Sequence, residues 1–289
     1  MKYLVLTLFP EICDSYFASS IMAKAVSRGI VEYKAVNIRD FAFDKHQSCD
    51  DAPYGGGPGM LMLPEPLGYA LESVGVKKKE RKGIGCGEWG VGNEERKSSL
   101  PTPYSPYTVY LSPSGRPFDQ SVARELASKE ELVLVCGRYE GIDQRIIDLY
   151  TDDEISVGDY VLSSGEVAAL VLIDATYRLL EQVINHASLE EESFDRLLLE
   201  YPQYTRPEIY DTIKVPEVLL SGHHENIRRW RLEKRVEKTI ALRPDLIQRG
   251  ISPVCTEGSS SGKEPLLYDD EVLKIIEQKY RQMSGKGDM

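Results

Sequence analysis

The sequence lacks the cysteine pairs that mark a disulfide framework or a zinc site. Its five cysteines are odd in number, are scattered along the chain and form no CxxC pair. This usage is typical of a reducing compartment, so we expect a cytoplasmic protein without a disulfide framework or a zinc site. The cysteines are Cys13, Cys49, Cys86, Cys136 and Cys255.

Long hydrophobic runs are also missing. The apolar run at 3–9 is far shorter than the ~20 residues that a membrane helix needs, and it lacks the basic segment and cleavage site of a signal peptide. It therefore predicts a first strand, and no membrane partner. With 289 residues, of which 42% are hydrophobic and 28% charged, the chain has the composition of an ordinary globular protein of one large domain or two smaller ones.

An overall excess of positive charge is absent as well. The net charge of −11 argues against a protein that coats nucleic acid nonspecifically. The acidic balance nevertheless conceals a basic island at 226–243, which has seven basic residues and only two acidic ones, Glu233 and Glu237. Its basic residues are Arg228, Arg229, Arg231, Lys234, Arg235, Lys238 and Arg243.

Alternating patterns predict an α/β fold with a parallel sheet and helices on its faces. The short apolar runs at 3–9, 107–111 and 131–136 predict buried strands. The segment at 166–181 is apolar nearly all round, which predicts a helix buried in a core or in an interface. Further helical patterns lie at 20–28, 65–74, 119–129 and 141–150.

Two changes of composition divide the chain. Residues 76–106 combine glycine, charge and proline without periodicity, which predicts a long surface insertion in a first domain at 1–184. The polar, acidic segment at 185–197 is interpreted as an interdomain linker. Beyond it the apolar spacing is helical, and a small α-helical domain is predicted at 198–289. Its helical patterns lie at 197–201, 224–240, 243–248 and 269–282.

Three glycine-bearing segments are the strongest functional signal: PYGGGPGM at 53–60, LVCGRYEGIDQR at 134–145 and SVGDYVLSSGE at 156–166. Each alone is also compatible with a structural turn. The first fails the G-x-G-x-x-G frame, because the sixth position from Gly55 is Met60, and this argues against a nicotinamide oxidoreductase. The last combines backbone groups with apolar side chains, which suit an adenine ring held in an apolar slot.

Basic residues supply two further candidates. Arg178 ends the apolar helix and needs a partner, a ligand or a route to solvent, because an unpaired buried charge is costly. In the basic island, Arg228, Arg231, Arg235 and Lys238 recur at helical spacing and predict one basic stripe. Such a stripe suits a phosphate backbone, and a merely solvated charged face is the alternative. The opposite, apolar face would be formed by Leu232, Val236 and Ile240.

Taken together, these segments resemble the bacterial tRNA (guanine-N1) methyltransferases, a family of the knotted SPOUT class that uses S-adenosylmethionine. The resemblance covers most of the chain, but not 76–106 or the C-terminal end. Other matching motifs are LFPE at 8–11, DDAPYGGGPGML at 50–61, YLSPSGR at 110–116, YTRPE at 204–208 and LLSGHHENIRRWR at 219–231.

The resemblance implies a deep trefoil knot in the first domain, which would bind S-adenosylmethionine, and a homodimer with both active sites at its interface. The helical domain would grip tRNA, and the methyl group would go to N1 of guanosine at tRNA position 37. The family also suggests magnesium, although the sequence shows no all-protein metal cage.

The resemblance also assigns site residues. The cofactor would lie against Tyr110, Leu111, Ser112, Pro113, Gly137, Tyr139, Val157, Gly158, Asp159, Tyr160, Val161, Leu162 and Gly165. The expected RNA contacts are Asp50, Gly55, Gly56, Gly57, Arg206, Arg228, Arg231 and Arg235. Arg178 would stabilise negative charge on guanine O6, and Glu140 is a further expected catalytic residue.

The general base is where this chain departs from the family, which has an aspartate just before a Ser-Phe pair. Here Glu192 precedes Ser193, and Asp195 and Glu191 are the alternatives. A noncatalytic tRNA-binding relative that lost its base, and a SPOUT methyltransferase for another RNA, therefore remain as further hypotheses. Other departures are Ser164 for a glycine, Ala168 for a proline and Ala52 for an arginine.

Overall fold

The computed structural model of the chain describes residues 1–79, 105–184, 192–251 and 268–284. Most of the predicted insertion at 76–106, the first part of the predicted linker at 185–197 and the alternative base Glu191 lie outside these residues. The chain divides into two compact units, Met1–Ile184 and Asn185–Met289.

A parallel five-stranded sheet forms the centre of the first unit, and this confirms the predicted α/β fold. Its strands are β1 (Lys2–Thr7), β2 (Glu32–Asn37), β5 (Tyr107–Pro117), β6 (Glu131–Val135) and β7 (Asp153–Ser156), in the order β2-β1-β6-β5-β7. A small antiparallel pair, β3 (Asp50–Asp51) and β4 (Leu61–Met62), lies beside the glycine-rich loop.

Helices cover both faces of this sheet. They are α1 (Pro10–Phe17), α2 (Ser20–Ser27), α3 (Pro64–Ser73), α4 (Gln120–Ala127), α5 (Gln144–Tyr150) and α6 (Gly165–Tyr177), with a 3-10 helix at Ile38–Phe41. Along β1, Tyr3 and Val5 pack with α1, α2, α4 and α6, whereas Leu4 and Leu6 pack with α3 and α5. Burial on both faces explains why the central strands are continuous apolar runs.

Two strands of the sheet were not predicted from the sequence. Strand β2 lies at one edge and β7 at the other. Along β2 only Val36 is buried and the other positions are exposed or partly buried, and β7 is short and begins with two acidic residues, Asp153 and Glu154. Neither therefore contains the apolar run that identified the central strands. The helix predicted at 141–150 begins later, because the Asp143 side chain caps it by accepting from Arg145 N at 2.9 Å.

The described part of the second unit is built mainly from helices around a small core. The helices are α7 (Glu217–Leu220), α8 (His224–Leu242), α9 (Pro244–Ile251) and α10 (Asp270–Ser284), and a hairpin joins β8 (Ile209–Tyr210) to β9 (Ile213–Lys214). The core consists of Leu198, Val236, Ile240, Ile247, Tyr268, Val272, Ile275 and Ile276. Among the described residues, no helix has the length and apolar character required to span a membrane.

The helix predicted at 197–201 is wrong. Arg196 and Leu197 have positive φ angles of 46° and 55°, and Leu198 forms an isolated bridge with Asp195. Of the three consecutive leucines, only Leu198 is buried, at 1% exposure. The leucines therefore mark an irregular segment that inserts one side chain into the core.

Candidate active site

Three loops leave the sheet at one edge. Strands β6, β5 and β7 are adjacent and parallel, so their carboxyl ends lie together. Ligands of open α/β sheets bind in the crevice outside these ends. The structure thus brings together the predicted cofactor residues Tyr110 and Leu111 on β5, Gly137 and Tyr139 after β6, and Val157–Leu162 after β7.

Backbone segments approach each other closely at this edge. Gly165 N, at the start of α6, donates to Gly137 O at 3.0 Å. A Cβ at Gly165 would lie only 2.7 Å from Cys136 Cα and from Gly137 N, and one at Gly137 only 3.1 Å from the Tyr110 ring. The chain that leaves β7 therefore returns to the end of β6, and glycine is required where the two backbones touch.

Exposed aromatic and aliphatic side chains line the same edge. Tyr139 is 50% exposed, Tyr160 56% and Leu162 38%. Tyr160 packs on Gly158, where a Cβ would lie 2.4 Å from its ring, and its hydroxyl donates to Val157 O at 3.0 Å. Exposed apolar groups beside main-chain donors and acceptors are what an aromatic ligand with polar ring atoms needs.

The glycine-rich loop is joined to the loop after β6. Met62 N donates to Gly141 O and Glu140 N donates to Met60 O, each at 3.0 Å. A Cβ at Gly59 would lie 2.3 Å from Glu140 Cγ. The loop that carries the predicted catalytic residue Glu140 is thus joined to the loop that carries the predicted RNA contacts. The predicted RNA contacts Gly55, Gly56 and Gly57 all have positive φ, and no atom lies within 4 Å of a Cβ built on them.

Asp50 and Tyr139 share one corner of the site. Partial burial, followed by the hydrogen bond to the Asp50 carboxylate, raises the pKa of the Tyr139 hydroxyl. The hydroxyl therefore stays protonated at neutral pH and donates to Asp50. Arg39 is close to the same hydroxyl and opposes this shift of its pKa. Sequence reasoning missed Arg39, which has no glycine-rich motif around it.

A buried ion pair, also missed from the sequence, joins three chain segments below the loops. Glu166 on α6 is fully buried. Its Oε1 accepts from Thr7 Oγ1 at 2.5 Å and from Arg138 Nε at 3.3 Å, and its Oε2 lies 3.0 Å from Arg138 Nη2 without hydrogen-bond geometry. The Arg138 guanidinium also lies over the Phe9 ring, 4.4 Å from its centroid. The feature of the sequence that could have indicated this pair is Glu166 itself, because it is a charged residue in the first turn of a mostly apolar helix.

Two of the three buried cysteines among the described residues, Cys13 and Cys136, are not nucleophiles. Burial raises the pKa of the Cys13 thiol to about 12 and that of the Cys136 thiol well above its ordinary value, and the Glu166 carboxylate adds to both shifts. Both thiols therefore stay protonated at neutral pH. Among the described residues, no group of three or more His, Cys, Asp or Glu side chains could hold a metal ion.

The two principal predicted catalytic residues belong to different units. Arg178 is the C-cap of α6 in the first unit and is partly buried beside Tyr177. On the same helix, Val167 and Val171 are exposed. Within a single chain, the prediction that α6 is buried is therefore correct for one face of the helix only. Glu192 lies in the second unit, where its carbonyl accepts from Asp195 N at 3.1 Å.

Acidic neighbours neutralise most of the basic island. Arg228 contacts Glu225 at 2.8 Å and Glu271 at 2.9 Å. Arg231 lies over the Tyr201 ring, 4.7 Å from its centroid, and the predicted RNA contact Arg206 is exposed. Further ion pairs join Arg229 to Glu233, Lys234 to Glu237 and Arg243 to Asp245. The stripe is therefore less positive at the surface than its sequence indicates.

The prediction that Arg235 belongs to an exposed RNA-binding stripe is wrong. Arg235 is only 6% exposed. Its guanidinium donates to backbone carbonyls of the segment at 192–199, which covers this part of α8. The other face of α8 is as predicted, because Val236 and Ile240 are buried and Leu232 packs against the same core.

Comparisons with known proteins agree with one another. The model of the family described as tRNA (guanine-1)-methyltransferase TrmD matches residues 1–249. A protein named tRNA (guanine-N(1)-)-methyltransferase from Treponema denticola is 59% identical over 249 residues, which cover 86% of this chain and 91% of the relative. A protein of the same name from Treponema pallidum is 57% identical over 266 residues, with coverages of 92% and 96%. One from Borreliella burgdorferi is 54% identical over 248 residues, with coverages of 85% and 92%.

Proposed function

The chain belongs to the tRNA (guanine-1)-methyltransferase family, and on that premise we propose that it is an enzyme that transfers a methyl group from S-adenosylmethionine to N1 of guanosine at tRNA position 37. The observation that carries the proposal is the loop-lined edge of the parallel sheet. There, glycine-dependent backbone contacts lie beside the exposed side chains of Tyr139, Tyr160 and Leu162.

S-adenosylmethionine suits the chemistry of this edge. When bound, it supplies a methyl group on a positively charged sulfur. The apolar side chains would hold the adenine ring, and neighbouring main-chain groups would hydrogen-bond its nitrogens. The residues proposed to bind it are Tyr110, Leu111, Ser112, Pro113, Gly137, Tyr139, Val157, Gly158, Asp159, Tyr160, Val161, Leu162 and Gly165.

The protein groups would make guanine N1 reactive. This nitrogen carries a proton and is a poor nucleophile until the proton leaves. We assign the proton transfer to the Glu192 carboxylate, and Arg178 would stabilise the negative charge that develops on O6. Glu140, exposed where the glycine-rich loop joins the loop after β6, is proposed as the third group that serves the reacting base.

Two regions are proposed to contact the tRNA. The glycine-rich loop offers exposed backbone through Gly55, Gly56 and Gly57, with Asp50 at its base. The second unit offers Arg206, Arg228 and Arg231. Arg231 lies over an aromatic ring. Cationic and aromatic groups in this arrangement bind phosphates and unstacked bases. The domain organisation of the proposal is a catalytic domain at 1–184, a linker at 185–197 and a tRNA-binding helical domain at 198–289.

Three further properties follow from the proposal. A trefoil knot at the cofactor edge accords with the return of the chain from β7 to the end of β6, across β5. A homodimer with its active sites at the interface accords with the exposure of Val161, Val167 and Val171 at 89%, 47% and 43%. The enzyme would work in the cytoplasm, where tRNA is found. The described residues offer no cluster for magnesium, and the proposed proton transfer uses protein groups alone.

Methyl transfer to defined transcripts tests the proposal. The purified protein is incubated with labelled S-adenosylmethionine and two tRNA transcripts, one with GG at positions 36–37 and one with GA. We expect label only in the first, at N1 of guanosine 37. Glu192→Gln is expected to lower the rate by about 10²- to 10⁴-fold, as loss of a general base does, while Glu192→Asp retains activity.

Other outcomes separate the alternatives. Binding of tRNA without transfer to either transcript would favour a noncatalytic relative, and label in another RNA would favour a different substrate. Near-normal transfer by Glu192→Gln would move the role of base to Asp195 or to Glu191, which Asp195→Asn and Glu191→Gln would then decide.

A further inference from the structure

We propose that Arg235 is a positioning residue: from within helix α8 it holds the backbone of the segment that carries Glu192. The inference rests on the proposed role of Glu192 as base. It differs from the sequence-based interpretation of Arg235 as an RNA contact, because the side chain is only 6% exposed.

The contacts of the Arg235 guanidinium show how the segment at 192–199 is held. Arg235 Nη2 donates to Asp195 O at 3.1 Å and to Glu192 O at 3.5 Å, and Nε donates to Leu199 O at 3.4 Å. The same Nη2 lies 3.8 Å from Asp195 Oδ2. One side chain thus binds backbone oxygens at both ends of the segment and at a point between them. The planar, multiple-donor guanidinium suits such a role, which a single ammonium group does not.

Neighbouring side chains on α8 complete the attachment. Thr239 Oγ1 accepts from Leu199 N at 2.9 Å, and Lys238 Nζ donates to Glu200 O at 3.1 Å. Lys238 and Thr239 follow Arg235 by three and four positions, so one face of one helical turn contacts the segment. Leu198 inserts into the core between these contacts, at 1% exposure. Lys238 is exposed, but Arg235 and Thr239 are buried. Their attachment is rigid, because an unmade buried hydrogen bond is costly.

Tyr268 supports the segment from another side. Its hydroxyl is within hydrogen-bond distance of Leu197 O, at 3.4 Å, and of Leu246 O, at 3.3 Å. Burial raises the pKa of Tyr268 to about 12, so the hydroxyl remains a donor throughout the neutral range. The residues that follow Glu192 are therefore fixed on a folded core, which places the backbone of the proposed base.

Substitution of Arg235 tests the proposal in the full-length protein. We compare Arg235→Met, which keeps an apolar stem and removes the guanidinium, with Arg235→Lys. The matched control is Arg281→Met, which removes an exposed arginine that pairs with Glu277 at 3.8 Å. We measure the single-turnover methyl-transfer rate at saturating tRNA and cofactor, the Kd for tRNA, and amide hydrogen exchange of the peptide at 192–200.

The expected result is a split between rate and affinity. For Arg235→Met the saturating rate falls about 10²-fold, the loss expected when a catalytic group is displaced by ~1 Å, and the Kd for tRNA is unchanged. Exchange at 192–200 accelerates at least tenfold, and Arg235→Lys lies between wild type and Arg235→Met. Arg281→Met leaves all three measurements as in wild type.

Several outcomes would overturn the proposal. A weaker Kd for tRNA with an unchanged saturating rate would return Arg235 to RNA binding, and unchanged exchange at 192–200 would exclude the hold itself. If Arg235→Met does not fold, Thr239→Val, which removes the acceptor of Leu199 N and a donor to Arg235 O within the same helix, must reproduce the loss of rate and the faster exchange. If the wild-type protein transfers no methyl group, the proposed function fails separately, and hydrogen exchange alone decides whether Arg235 holds the segment.

Discussion

Glu166 shows how a single buried charge fixes the site. A carboxylate without solvent exposure is costly unless a cation and hydrogen-bond donors replace the lost water. Arg138 and Thr7 provide both. Because Arg138 directly follows Gly137 and Glu166 directly follows Gly165, the pair ties together two loops that are proposed to bind the cofactor. Displacing either loop would uncover the Glu166 carboxylate and is therefore energetically costly.

Substitutions of this buried pair should have non-additive effects on stability. Arg138→Met leaves an uncompensated buried carboxylate and should lower the free energy of unfolding by about 3–5 kcal/mol. Adding Glu166→Gln to it removes the buried charge, so the double variant should recover a large part of that loss. Urea denaturation followed by circular dichroism provides the measurement.

The control for these variants is a partly exposed ion pair at the other end of β1. Lys2 pairs with Glu131 at 2.8 Å and its side chain is 38% exposed, so Lys2→Met should cost at most about 1 kcal/mol. Glu166→Gln alone is measured as well. If the double variant loses as much free energy of unfolding as Arg138→Met and Glu166→Gln lose in sum, Arg138 and Glu166 do not act as a pair.

Among the elements, strand β5 owes its shape to one glycine. Its pairing with β7 shifts register between Leu111 and Arg116, the span that contains the predicted cofactor residues Ser112 and Pro113. A Cβ at Gly115 would lie 2.4 Å from Glu154 C and from Ile155 N, and backbone atoms cannot yield as a flexible side chain can. The irregular turn of β5 therefore depends on direct backbone contact with β7.

Two glycine substitutions should consequently differ. Gly115→Ala should separate β5 from β7, lower the free energy of unfolding by about 1–3 kcal/mol as overpacking does, and weaken cofactor binding. Gly56→Ala lies in open space and only has to adopt its φ of 79°, so it should cost about 1–2 kcal/mol and leave cofactor binding unchanged. Urea denaturation and calorimetric titration of S-adenosylmethionine measure both effects. Equal cofactor affinities in the two variants would contradict this account of β5.

The same elements show how far the sequence alone could predict the fold. The sequence identified β1 and β6 because burial on both faces requires an unbroken apolar run. Strands β2 and β7 were not predicted, because each is an edge strand and contains polar positions. Most helices were predicted to within a few residues, but α1 and the short α7 were not predicted. The helix predicted at 197–201 does not form, because Leu198 alone enters the core.

The candidate site was predictable where it depends on chain order and unpredictable where it depends on packing. Loops after parallel strands meet at one edge whatever their side chains are, so the segments after β6 and β7 could be grouped from the sequence. Arg138 and Glu166 lie in two of the glycine-bearing segments, but they are 28 positions apart and nothing in the sequence indicates that their side chains pair. Likewise Arg228, Arg231 and Arg235 share helical spacing, but of these three the segment at 192–199 buries Arg235. The periodicity of a helix does not show which of its residues another segment of the chain will bury.

For the molecule as a whole, the balance of charge restricts how RNA can be bound. The net charge is −11, and ion pairs with acidic side chains occupy most of the basic island. Affinity for tRNA then cannot depend on a broad positive field and has to come from local contacts and from shape. An assembly of two copies would supply more such contacts than one chain does.

Helix α6 provides the test of that assembly. Val167 and Val171 lie one turn apart and are both exposed, which is unusual for a helix whose other face is fully packed. At a two-fold interface the same face meets itself, so Val171→Asp would place two like charges in an apolar contact. We expect analytical ultracentrifugation to show a dimer for the wild type and a monomer for Val171→Asp, with loss of methyl transfer. Ile21→Asp, at an exposed apolar position on α2, should remain dimeric and active, because it adds the same charge away from α6. A dimeric Val171→Asp variant, or a monomeric wild-type protein with full activity, would exclude this face as the interface.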